Sequence, residues 1–339
     1  MKISKNVPYI IAETAYSFEG DQSYLMEQTL QLPENVDAIK YHILFDIDEY
    51  MEANHSVYSF LQNWILEEED WISILKAAKG KHDVIVLADD RRTIHFLEKY
   101  PELIDGVEIH AACVNDKVLF SEVIGFANKY FKTLFVGISG FEIQELFDIS
   151  EYIRKKQLID VVFMYGFQNY PTKIKEIRLS KIPMLQEMFK VPVGYADHTG
   201  WDENEKELLI YTAYALGANI QEIHFVLKEG ENRTDAVTAV DAKRIAKIVN
   251  TLKQEAKAIN DVDMRLNEGE KRYLNFRKVP VYADDLKKGY ILKEKDIKFI
   301  RVESPLYQHK FSEEELFIGR ALKTNVYKNT EIVTDDFCL

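Results

Sequence analysis

Eight short apolar runs, rich in β-branched and aromatic residues, recur along the first two thirds of the chain. They are Tyr9–Glu13, Ala38–His42, Val84–Asp89, Gly106–His110, Thr133–Ser139, Val161–Phe167, Val193–His198 and Glu222–Leu227. Stretches with helical spacing of apolar positions lie between or after them, among them Glu142–Lys156, Glu205–Leu216 and Ala236–Ala258. Strands that alternate with helices pair in parallel through right-handed crossovers. Eight such units predict an α/β chain folded as a closed (β/α)₈ TIM barrel, and no Gly-x-Gly-x-x-Gly turn supports a dinucleotide fold instead.

The rhythm breaks twice. Phe45–Lys81, between the second and third runs, is longer than one helix needs and carries Trp64 and Trp71. An insert at that end of a strand is expected to wall a pocket or to form a surface helix. After the last long helix the texture changes again. Residues 262–275 are charged and poor in β-branched residues, which reads as a linker. From Phe276 to Leu339 come short β-type runs and turns (Val279–Tyr282, Gly289, Ile297–Ile300, Ile318-Gly319-Arg320, Thr330–Val333), predicting a small β-rich domain. The expected division is therefore a barrel over 1–261, a linker over 262–275 and a second domain over 276–339.

The length of 339 residues suits a barrel of about 250 residues with an appendage, and 47% hydrophobic residues suffice for a large core. A formal net charge of −13 argues against a nucleic-acid partner, because a phosphate backbone would be repelled. Two cysteines, Cys113 and Cys338, exclude a disulfide framework and fit a reducing cytoplasm. The sequence shows no signal-peptide pattern and no apolar run of about 18 residues, so no membrane association is expected.

Catalytic groups of such barrels stand where the strands' C-terminal ends meet the following loops. Those positions are rich in polar groups: Glu13, Lys40, His42, Asp89 to Arg92, His110, Ser139, Asn169, Tyr170, Asp197, His198, Glu222 and His224. His198 and His224 are about one strand–helix–strand repeat apart, so their imidazoles could meet over one metal ion. Mn²⁺, Zn²⁺ or Fe²⁺ would suit imidazole with carboxylate or water oxygen. Glu13 suits proton transfer if buried. Lys40 suits an anionic substrate or, less directly, a Schiff base.

Taken in order, Ile10-Ile11-Ala12-Glu13, Ala38-Ile39-Lys40, Asn169-Tyr170-Pro171-Thr172, Gly194-Tyr195-Ala196-Asp197-His198-Thr199, Glu222-Ile223-His224-Phe225 and Thr234-Asp235-Ala236 resemble the sialic acid synthase family. The tail resembles that family's antifreeze-like (SAF) domain through Asp284–Gly289, Lys293–Arg301 and Ile318-Gly319-Arg320. The resemblance implies condensation of phosphoenolpyruvate with the open-chain aldehyde of an N-acylated amino sugar, giving a sialic-acid-like 2-oxo acid and phosphate. It implies Mn²⁺ or Mg²⁺ on His198 and His224, with Glu13, Lys40 and Asp197 as catalytic residues. Asn169 would contact phosphoenolpyruvate, and Tyr170, Glu222 and Asp235 the sugar. The family is typically a domain-swapped homodimer, in which Arg301 of each SAF domain would reach the partner's sugar.

The donor side departs from the family pattern. The fourth strand reads Glu108-Ile109-His110-Ala111 where a lysine and a serine are usual. The fifth ends Ile138-Ser139-Gly140, and Ala196 replaces a serine. Arg91, Arg92, His110 or Ser139 could hold the donor phosphate instead, an arginine fork being well suited to it. The alternatives are a metal-dependent lyase, aldolase or isomerase acting on a related sugar without phosphoenolpyruvate, and a sugar-binding relative without catalysis.

Overall fold

The computed structural model describes residues 1–339 apart from 2, 5, 6, 159, 261, 262, 307, 308 and 339. The chain divides into two compact units, Met1–Asp261 and Val262–Leu339. The expected boundary residues, Asp261 and Val262, lie outside the described set.

The first unit is a closed barrel of eight parallel strands, each hydrogen-bonded to its neighbours in sequence order. They are β1 (Tyr9–Glu13), β2 (Ala38–Ile43), β3 (Asp83–Ala88), β4 (Gly106–Ile109), β5 (Thr133–Gly137), β6 (Val161–Tyr165), β7 (Val193–Asp197) and β8 (Ile220–His224). Successive side chains of a strand point to opposite faces, so each strand sorts its residues by parity. One parity packs against the surrounding helices; Ile39, Tyr41 and Ile43 of β2 belong to that outer core. The other parity fills the barrel. Tyr9, Ile11, Ala38, Ile85, Phe135, Val162, Met164, Ala196 and Ile220 form its apolar plug. Two residues further along the same face, Ile11 gives way to Glu13, Ala38 to Lys40 and Ile220 to Glu222. The polar groups thus stand as a layer on the plug, at the C-terminal mouth.

Several helices begin where an aspartate side chain accepts from unpaired first-turn amides. Asp21 caps Gln22–Gln31, Asp90 caps Arg91–Lys99 and Asp116 caps Lys117–Tyr130. The helix expected at Ala236–Ala258 starts late, at Ala242, with Asp241 as its cap. The preceding β-branched segment instead forms a 3₁₀ turn at Ala236–Thr238 and a bridge from Val240 to Phe225. Gly166 permits a close approach of two strand ends. It has φ of 147°, and a Cβ there would lie 2.1 Å from the Ala196 carbonyl oxygen.

The insert after β2 holds three helices, Ile47–Tyr50, Tyr58–Trp64 and Glu68–Ala78. Its tryptophans have separate fates. Trp71 is buried edge-on against Phe18 and Tyr41, whereas Trp64 lines a cavity at the mouth.

In the second unit β9 (Val279–Tyr282) and β10 (Ile297–Ile300) pair antiparallel. They belong to a small separate core of Tyr282, Leu292, Phe317, Leu322, Val326, Ile332 and Phe337. Within the segment read as a linker, Glu268–Tyr273 forms a short helix closed by a capping box between Asn267 and Glu270, with no buried residue. Among the described residues no helix is long and apolar enough to cross a membrane.

Candidate active site

Strand register places Glu13 level with Lys40 on one side and His224 on the other. Lys40 Nζ lies 2.7 Å from Glu222, 3.0 Å from Glu108 and 3.3 Å from Glu13, and all four side chains are buried. One ammonium cannot neutralise three carboxylates in a low-dielectric interior. Against the penalty of burial, Lys40 and His224 hold the Glu13 carboxyl well below the usual carboxylate range. Burial, opposed by Lys40, pushes Glu108 up; burial and the charge of Glu13 push Glu222 well up. Against the same penalty the three carboxylates hold Lys40 far above its ordinary value, so it is charged. The centre therefore pairs an ammonium with the Glu13 carboxylate and keeps protons available on its neighbours.

His198 follows β7 directly and His224 ends β8, and their rings lie 4.9 Å apart, edge to face. Neither nitrogen of the buried His198 has a hydrogen-bond partner among the described residues. Burial and His224 hold that imidazole well below its ordinary value, hence neutral and able to donate a lone pair. His224 Nε2 lies 3.3 Å from Glu13, and its Nδ1 lies 3.4 Å from the Thr238 hydroxyl. A buried polar atom without a partner is costly. An ion held by these two imidazoles would remove that cost, so the residues fit the divalent metal that the resemblance implies. Tyr170 extends over the pair, 5.5 Å from the His198 ring and 5.8 Å from that of His224.

Two cavities meet here. One of about 420 Å³ surrounds Lys40 and is lined by Glu108, Ser139, Asn169, His198 and Glu222. The other, about 960 Å³, is lined by Tyr16, His42, Trp64, Tyr170 and Asp235. Glu13 and His110 line both. The smaller suits a compact anion beside the lysine, the larger a sugar. Lys40 is the one Lys or Arg lining either cavity among the described residues. The Ser139 hydroxyl donates to the Gly166 carbonyl, and Asp235 accepts from the Tyr16 amide.

Residues 27–264 match the model of the NeuB family. The chain belongs to the NeuB family. A pseudaminic acid synthase of Campylobacter jejuni is 31% identical over 188 residues, covering 53% of this chain and 53% of that relative. The chain spans about half the length of such curated relatives. Among solved structures, an N-acetylneuraminic acid (sialic acid) synthetase of Leptospira borgpetersenii, in complex with citrate, superposes with a TM-score of 0.71. It is 17% identical and covers 80% of this chain and 92% of that one. A spore coat polysaccharide biosynthesis protein of Bacillus subtilis gives 0.63 at 20% identity, covering 98% of this chain and 96% of that one. These structural likenesses carry the fold.

Three expected site residues of this NeuB-family chain are placed elsewhere. Asp197, next to His198 in sequence, has the opposite parity and faces the helices. It accepts from the Tyr195 and Thr199 hydroxyls and from the ammonium of Lys206, a fully buried lysine that the sequence pattern does not reveal. Lys206 also donates to the carbonyls of Thr199 and Thr238, tying the His198 loop to the Asp235 loop. Removing one partner of a buried pair strands the other charge. Lys206→Met is therefore expected to lower unfolding free energy by about 3–5 kcal/mol, readable in denaturant titration.

Arg91 and Arg92 are the other correction. Capped by Asp90, they open a helix and point to solvent. Arg91 pairs with Glu49, and Arg92 lies 5.4 Å from the Phe45 ring centroid. Neither lines a cavity at the mouth. Arg91→Ala and Arg92→Ala should each leave the apparent Michaelis constant for a phosphorylated donor within about twofold, since neither side chain reaches the cavities and exposed ion pairs are screened by solvent. Arg301 lies in the second unit, exposed, with its guanidinium 5.1 Å from the Phe276 ring centroid.

Proposed function

We propose that this chain joins the three-carbon unit of phosphoenolpyruvate to the aldehyde of an open-chain N-acylated amino sugar, giving a sialic-acid-like 2-oxo acid and phosphate. The observation that carries the reading is the His198–His224 pair, both His198 nitrogens without a partner among the described residues, next to the Glu13–Lys40 centre. His198 and His224 would hold a divalent ion, Mn²⁺ or Mg²⁺ by resemblance, which when bound would polarise the aldehyde oxygen. Lys40 would fix the donor's carboxylate or phosphate in the smaller cavity, beside Ser139 and Asn169. As C3 of the donor bonds to the aldehyde carbon, one water adds to C2 and phosphate then leaves to give the 2-oxo group. Glu13, ionised and in reach of both Lys40 and His224, would accept the proton of that water, and the former aldehyde oxygen takes up a proton to become a hydroxyl. Glu222, carrying a proton, would donate a hydrogen bond to an oxygen of the sugar. Tyr170 and Asp235 would position the sugar in the larger cavity.

We further place residues 276–339 as an antifreeze-like module of a cytoplasmic homodimer, with Arg301 reaching a partner chain's sugar. Two unpaired cysteines and the exposure of Arg301 support this setting. Mixing Arg301→Ala chains with Lys40→Ala chains is then expected to restore part of the activity through hybrid dimers. No restoration, with subunit exchange shown separately, would contradict it.

A second reading rests on the crowding of Lys40 by three glutamates. A phosphorylated donor would meet no other lysine or arginine in either cavity among the described residues. On that reading the same metal and sugar site serves a lyase, aldolase or isomerase that needs no phosphoenolpyruvate. Phosphate release separates the two when phosphoenolpyruvate, Mn²⁺ and a panel of N-acyl amino sugars are supplied. The first reading predicts release that requires sugar, donor and metal together. Conversion of a sugar without phosphoenolpyruvate would replace it by the second.

A further inference from the structure

Across the barrel from β7 and β8, the ends of β3 and β4 hold another set of donor atoms. Asp89 follows β3, His110 follows β4, and Cys113 closes the 3₁₀ turn Ala111–Cys113. The ligand atoms of these three residues all lie within 4.8 Å of one another. Cys113 Sγ is 3.5 Å from Asp89 Oδ1. The other oxygen of Asp89 is occupied by His42 Nε2 and lies 3.4 Å from the Tyr16 hydroxyl. His110 Nδ1 is buried without a hydrogen-bond partner among the described residues. Asp89, His110 and Cys113 all line the larger cavity.

We propose that Asp89, His110 and Cys113 hold a second divalent transition ion, of the borderline-soft kind exemplified by Zn²⁺ and Co²⁺. The proposal is independent of the reaction assigned above. Thiolate, imidazole and carboxylate together select such an ion over Mg²⁺, which prefers an all-oxygen shell. The spacing agrees. A tetrahedral ion with bonds of about 2.3 Å to sulfur and about 2.0–2.2 Å to oxygen sets those ligands about 3.5 Å apart. The Cys113 thiol donates a hydrogen bond to Asp89, but the buried His110 Nδ1 beside them has no partner among the described residues, and core packing leaves that unexplained. His42 has the place of an outer-shell partner, fixing Asp89 through the oxygen that would not face the ion.

Binding converts the Cys113 thiol to a thiolate and releases its proton to solvent. Three protein ligands leave a fourth position open, as in sites where an ion meets substrate oxygen. That position would face the cavity shared with Tyr170 and Asp235. It would also bring positive charge to the β4 side of the mouth, where Glu108 stands and no lysine or arginine other than Lys40 lines either cavity among the described residues.

Co²⁺ titration of the chelator-stripped full chain tests this. The wild type is expected to bind two ions per chain and to develop a thiolate-to-Co²⁺ charge-transfer band in the near ultraviolet. The His198→Ala/His224→Ala double variant should lose one equivalent and keep the band. Cys113→Ser should lose the band and the other equivalent, and His110→Ala should at least weaken both. Circular dichroism of each variant guards against misfolding. A folded wild type that binds Co²⁺ without the band would overturn the proposal. So would a band that survives Cys113→Ser, which would belong to the exposed Cys338, or one that disappears with the histidine pair.

Discussion

Glu13→Gln is expected to lower turnover by about 10²–10⁴-fold while leaving the affinity for the sugar nearly unchanged. Removing a positioned acid–base group typically has that effect on the chemical step. The substitution keeps the side chain's shape and removes its charge. Lys40 retains Glu108 at 3.0 Å and Glu222 at 2.7 Å, and once the Glu13 charge that holds their protons on is gone, one of them can ionise to compensate the ammonium, so the barrel mouth stays folded. A loss confined to kcat would identify Glu13 as the proton-transferring group. Turnover near that of the wild type would reduce it to a structural partner of Lys40 and His224.

His198→Ala and His224→Ala together are expected to abolish both activity and the binding of Mn²⁺ at this pair. Loss of outer-shell partners alone typically weakens metal affinity about 10–100-fold, and removing the ligands themselves should exceed that. The imidazoles lie at the ends of adjacent strands, with neither ring part of the apolar plug, so the barrel should survive the change. Electron paramagnetic resonance of bound Mn²⁺ reads the result directly. Mn²⁺ retained at wild-type stoichiometry in the folded double variant would remove these two residues as ligands.

Much of this architecture is visible in the amino-acid pattern. Each strand of the barrel is a short run buried on both faces, and the interior residues change from apolar to polar at its end. That change marks Glu13, Lys40 and His224 without coordinates. Parity at the very end of a strand is harder to read, because a shift of one residue reverses the face. Asp197 and His198 are neighbours in sequence, yet one serves the helix layer and the other the mouth. Arg91 and Arg92 follow a strand as a phosphate-binding pair would, but Asp90 caps a helix there and turns them outward. Lys206 gives no warning, since a lysine on an amphipathic helix ordinarily reads as solvent-facing. Cys113 carries no signal alone. Its spacing of three from His110 gains meaning only when β3 brings Asp89 alongside.

On the proposed function, a three-carbon enol donor and an amino-sugar aldehyde become one molecule above the Lys40 centre. Supplying uniformly ¹³C-labelled phosphoenolpyruvate, unlabelled N-acyl amino sugars and Mn²⁺, and following the label by mass spectrometry, shows whether the two are joined. The expected product is a single 2-oxo acid that carries all the labelled carbons of the donor, formed in equal amount with phosphate and about 10²–10⁴-fold more slowly by Glu13→Gln. Label recovered entirely in unreacted donor or in pyruvate, while the sugar is bound or converted alone, would rule the condensation out.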